Sequence, residues 1–138
     1  MKKIILSTTL LSAVLSAATF NAPMQAYIND LKVQAKAQES HFVDFDAKRG
    51  AEIFTSTHIG KRGTKMSCTS CHTIDLRQEG KNERTNKILK PLAPSANPER
   101  LTQVRDVKKW LRRNFNDVYN RVGTAKEKGD VLYYINSK

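Results

Sequence analysis

The feature that most constrains this chain is Cys68-Thr69-Ser70-Cys71-His72, which holds the only two cysteines among 138 residues and follows the second at once with a histidine. Cysteines at that spacing reach the two vinyl groups of a haem as thioethers, while the adjacent imidazole is set beneath the iron. Other chemistries fit less well. A disulfide between Cys68 and Cys71 would close a loop too short to constrain the chain. A thioredoxin-like redox pair sits where a strand feeds a helix in a βαβ unit, and no such strands are legible. Zinc needs four ligands, and only His41, His58 and His72 accompany the cysteines, with no second pair. The expectation is one covalent haem c, bound through Cys68, Cys71 and His72, with His72 as an axial iron ligand.

The start of the chain reads as a secretory signal. Lys2 and Lys3 precede an apolar run from Ile4 to Ala18, and Ser16-Ala17-Ala18 supplies small residues for cleavage. Residues 1–18 are therefore expected to be removed, since the apolar run is short of the roughly 20 residues a span needs. The mature protein is expected in a periplasm, with no stable membrane span and one small domain. Its formal charge of +11 would fall to about +9 with the loss of Lys2 and Lys3. Basic charge on an exported protein points away from nucleic acid and toward acidic protein partners or anionic lipid. A plainly solvated basic face is the competing reading.

An all-α fold is expected. Asn21 and Pro23 open an N-terminal amphipathic helix whose Met24, Tyr27, Ile28, Leu31 and Ala35 share a face, and helix plus linker occupy residues 19–44. The haem domain then runs over 45–138. Asp46 suits the N-cap of a second helix, with Ala47, Gly50, Ala51 and Phe54 at helical spacing. Thr102 is expected to cap a third helix carrying Val104, Val107, Leu111 and Val118 as a stripe, with Trp110 and Phe115 beside it. Thr124-Ala-Lys-Glu127 is a capping box for a last helix with Val131, Tyr134 and Ile135 inward. Between Thr73 and Arg100 lies a long polar stretch with Pro91, Pro94 and Pro98, of a length that is usually functional. No alternating pattern is long enough to predict a sheet.

The second axial position is less defined. No Met or His lies downstream of His72, and Met66 is too close to Cys68 to wrap round. Met24, His41, His58, a lysine, an amide or an open site remain. Asn97 is the attractive amide because Pro94 and Pro98 stiffen its backbone, although Asn before Pro commonly just makes a turn.

From Phe45 to Ile135 the chain resembles the high-spin c-type cytochromes typified by the sphaeroides haem protein, together with a wider group of bacterial cytochrome-like domains of unknown function. The motifs carrying the resemblance are Met66 to His72, Lys90-Pro-Leu-Ala-Pro-Ser-Ala-Asn-Pro-Glu-Arg100, Lys109-Trp-Leu-Arg-Arg-Asn114 and Glu127 to Tyr134. It implies a distal asparagine ligand, matched to Asn97, that lets go when the iron is reduced and opens a face to dioxygen or nitric oxide. It also implies that the helix of Gly50 and Phe54 crosses the last helix at Tyr134. Many relatives carry a further cysteine pair near the positions of Phe115 and Gly123, which this chain lacks. The function expected is a monohaem electron carrier without catalytic residues, exchanging electrons with a multihaem or membrane-bound cytochrome. Two alternatives stand beside it: a small-gas-binding or detoxifying haem protein, and an assembly partner that docks through its N-terminal helix.

Overall fold

Helix α1 (Ala22–Gln38) begins where the Asn21 side chain accepts the Met24 N–H at 3.0 Å, with Pro23 in the first turn. The computed structural model describes residues 19–138, so the expected signal segment lies outside the described residues. The five residues of the expected apolar face of α1 are buried, and four of them are almost fully enclosed, with Met24, Ile28 and Ala35 at 0% exposure and Leu31 at 2%. That face is consumed by the helices Val104–Tyr119 and Ala125–Asn136 of the same chain. The reading of α1 as a docking face for another protein is thereby corrected, because there is no free apolar stripe left on it.

Helix α2 (Ala47–Thr55) starts at Asp46, whose carboxylate accepts the N–H groups of Lys48 and Arg49. It crosses the last helix, α5 (Ala125–Asn136), at Gly50 and Phe54. A Cβ on Gly50 would collide with the Asp130 carbonyl, so glycine is what lets the two backbones meet. Phe54 packs against Tyr134 with ring centroids 5.5 Å apart, as the resemblance implies. Asp130 is 1% exposed and takes the Asp46 N–H at 2.7 Å and two Arg49 N–H groups at 2.9 Å each. A buried carboxylate is thus fully bonded at the crossing.

Two small antiparallel pairs interrupt the helices: β1 (His58–Ile59) with β2 (Lys65–Met66), and β3 (Gly80–Lys81) with β4 (Ile88–Leu89). Strands of two residues carry no alternation to detect, which is why the sequence predicts only a break there. Between the pairs lies α3 (Thr69–His72), a single turn. Helix α4 (Val104–Tyr119) buries Leu111, Phe115 and Val118, so Phe115 belongs to the inward stripe rather than beside it. Its N-cap is Gln103, with no side-chain bond. The Thr102 hydroxyl instead donates to the Glu99 carbonyl at 2.7 Å, closing the preceding turn, so the expected Thr102 cap is corrected. Helix α5 has the full capping box of Thr124 and Glu127. No helix among the described residues is long and apolar enough to cross a membrane.

Candidate haem-attachment site

The attachment segment is a tight turn held by its own polar groups. His72 N–H reaches the Cys68 carbonyl at 3.1 Å, and Ser67 N–H donates to the Ser70 hydroxyl at 3.0 Å. Thr73 then turns left-handed, with φ 61°, and ends the helix. Gly80 of β3 lies so close under the Cys71 carbonyl that any side chain would displace it. Residues i and i+3 share one face of such a turn, so Cys68 and Cys71 project together. Both are free and half-buried.

The environment keeps Cys68 and His72 neutral. Burial, reinforced by Cys71, pushes the Cys68 thiol up to about 12. Burial first, and the Arg100 charge second, push the His72 imidazole down to about 4. A neutral imidazole is the form that binds a metal, and a thiol is the form that adds across a vinyl group. Phe54 stands with its ring centroid 6.2 Å from that of His72, so an aromatic wall continues from the helix crossing to the site. Two free cysteines on one face, an uncharged histidine beside them and an apolar wall fit a covalently held haem.

The proline loop is tied to the segment that follows His72. Leu92 and Ala93 both donate their N–H groups to the Leu76 carbonyl at 2.9 Å, which hangs the loop from the strand of chain leaving His72. Asn97 turns back into that loop. Its Nδ2 donates to the Pro91 carbonyl at 3.2 Å and its backbone N–H to the Ala93 carbonyl at 2.9 Å. The Asn97 side chain is therefore part of the loop's own turn.

Other ligand-capable residues are distributed as follows. Met24 is sealed in the core and His41 is exposed. His58, expected at the surface, is half-buried, with its ring 4.1 Å from that of Tyr119 and its Nε2 buried without a hydrogen-bond partner. Tyr119 donates its hydroxyl to the Ile53 carbonyl at 2.5 Å, and burial pushes its pKa up to about 12. On α4, Asn114 is half-buried and its carboxamide has no partner among the described residues. It lies one helical turn from Trp110, a large apolar side chain left 48% exposed. In the sequence Asn114 sits among charged residues, which masks it. The usable signal was its spacing from Val107, Leu111 and Val118, which puts it on the edge of the inward stripe.

Comparison with known proteins agrees with this geometry. The model of a domain of unknown function, DUF1924, matches residues 40–135. The cytochrome c-type protein SHP of Cereibacter sphaeroides is 46% identical over 90 residues, spanning 65% of this chain and 69% of that protein. This chain belongs to that cytochrome c family. The structure of oxidised SHP, described as an oxygen-binding cytochrome c, superposes with a TM-score of 0.73 at 39% identity, covering 87% of this chain and all of that one (100%). Cytochrome c'' of Methylophilus methylotrophus is 33% identical over 73 residues, 53% of this chain and 51% of its own length. Membership of the family carries with it the small helical cytochrome fold and covalent haem c as cofactor.

Proposed function

We propose that this protein is a periplasmic one-electron carrier with a single haem c, joined to Cys68 and Cys71 and ligated by His72. Each thiol adds across one vinyl group, its sulfur bonding one carbon and its hydrogen passing to the other. The bound haem supplies the redox iron. The chain's own residues hold the neutral imidazole, keep water from one side through Phe54, and present a weak group or none on the other. The observation that carries this reading is the pair of free cysteines on one face beside an uncharged, half-buried His72.

For the distal ligand an asparagine amide remains the proposal, and the observations favour Asn114 over Asn97. The Asn97 amide nitrogen bonds Pro91 and ties the side chain into the loop turn, whereas the Asn114 amide has no partner among the described residues and stands next to an exposed tryptophan. A hard amide oxygen is held better by ferric than by ferrous iron, so reduction would release it. The second reading, binding of dioxygen or nitric oxide by the reduced protein, follows from that release and from the lack of Met or His after residue 72.

Optical and paramagnetic-resonance spectra of the purified holoprotein test both. Asn114→Ala is expected to move the ferric spectrum toward high spin and Asn97→Ala to leave it unchanged. The reverse result returns the role to Asn97, and a change only in His58→Ala assigns it to the orphaned imidazole. Reduced protein that binds no carbon monoxide leaves a plain carrier. A chain carrying no added haem mass, when made in a host that matures cytochromes, defeats the proposal altogether.

A further inference from the structure

Arg100 is half-buried, and among the described residues no carboxylate lies within ion-pair distance of it. Its guanidinium instead grips two successive carbonyls, Nε donating to Pro91 at 2.7 Å and Nη2 to Lys90 at 2.7 Å. Its own N–H reaches the Asn97 carbonyl at 2.9 Å. The same residue therefore closes the proline loop at its end and clamps it at its beginning. That loop hangs from Leu76, four residues beyond His72, so the clamp holds it to the segment that leaves the proximal ligand.

We propose that Arg100 is a positioning residue for the iron: it fixes the loop from Lys90 to Asn97 against the segment leaving His72 and holds a half-buried positive charge there, which raises the reduction potential. The inference rests on the haem reading above. A ferric centre carries one more positive charge than a ferrous one, and a fixed cation in a poorly solvated setting therefore disfavours the oxidised state. Arginine suits the task, since it stays charged when half-buried and its planar fork spans two carbonyls.

The clamp and the charge are separable by substitution. Arg100→Lys keeps the charge and loses the fork, Arg100→Gln loses the charge and keeps one donor, and Arg100→His carries a charge that can be switched. Holoproteins are first checked by mass and spectrum for one intact haem, and midpoint potentials are then titrated. The expected result is a lower potential for Arg100→Gln and a value near that of the parent for Arg100→Lys. For Arg100→His the potential should fall, beyond any fall in the parent, as pH rises through the ordinary imidazole range near 6.5. Equal potentials in Arg100→Gln and Arg100→Lys, or an Arg100→His profile that parallels the parent, overturn the proposal. Absence of haem from the parent protein would instead defeat the earlier reading, so the two failures are distinguishable.

Discussion

The ring of Phe115 lies against Gly123 so closely that a Cβ built on the glycine would stand 2.8 Å from both Cγ and Cδ2 of the ring. Phe115 is 4% exposed and stacks at 5.4 Å on Tyr119, so the ring fills the space between the end of α4 and the approach to α5. Where the family resemblance implies a cysteine pair in many relatives, this chain has apolar packing.

That contact implies a bridgeable geometry. One carbon–carbon bond separates Cγ from Cβ, so the two Cβ atoms would be about 4 Å apart, inside the range of disulfides. Phe115→Cys combined with Gly123→Cys is expected to oxidise on export, losing two hydrogens by mass. It should also raise the urea midpoint over its reduced form by the equivalent of about 2–3 kcal/mol. Phe115→Ala alone should cost about 3–5 kcal/mol through the cavity left behind. A double variant that stays reduced in air would refute the inferred spacing.

Glycine substitutions should separate two physical effects. Gly50→Ala drives a methyl group into the Asp130 backbone, and overpacking against main chain lies toward the upper end of about 1–3 kcal/mol. Gly63→Ala meets nothing within 4 Å but must adopt φ near +77°, which costs about 1–2 kcal/mol through backbone strain alone. Thermal unfolding of the two holoproteins should rank Gly50→Ala as the less stable. Equal melting points would mean that α2 and α5 separate easily.

The helices were legible because their signals are local. Asn21, Asp46 and the Thr124–Glu127 pair have side chains that bond the next turn, and the apolar residues of α1 repeat at helical spacing. The attachment motif was legible for the same reason, being five consecutive residues. What the sequence hid depends on contacts between distant segments. Asn97 reads in the sequence either as a presented amide or as a turn residue before Pro98, and only its bond to Pro91 and the hanging of the loop from Leu76 show how the loop is tied. Arg100, His58 and Asn114 are ordinary letters in a polar run until burial and missing partners distinguish them.

The capping box should give a stability that depends on pH. Hydrogen bonds from Arg121 hold the Glu127 carboxyl below its ordinary 4.5, with the Thr124 N–H adding to the effect. A carboxyl whose folded pKa is depressed contributes fully well above 4.5, and that contribution is lost as pH falls through the folded value. Glu127→Gln is therefore expected to cost about 1 kcal/mol at pH 7. The gap between variant and parent should shrink toward zero in acid. Urea titrations at neutral and acid pH check this, and a gap that grows in acid contradicts the assignment.

Charge should control encounter at the β1–β2 hairpin. Lys61, Arg62 and Lys65 are exposed there with no acidic residue between them, Ile59 is 59% exposed, and β2 runs directly into Cys68. The hairpin is firm, because Gly60 N–H bonds the Thr64 carbonyl at 2.9 Å and Lys61 N–H bonds the Asp117 carbonyl of α4 at 3.0 Å. A rigid cationic tip beside the attachment site should attract anionic electron acceptors, and salt should weaken that attraction. Lys61→Glu with Arg62→Glu is expected to slow oxidation of the reduced protein by a small anionic oxidant by roughly tenfold at low salt. An uncharged oxidant should react at the parent rate. The same reversal at Arg105 and Arg113 on α4 tests whether location matters or net charge alone, since both pairs change the total charge equally. Equal slowing by the two pairs would dissolve the hairpin into the general basicity of the chain.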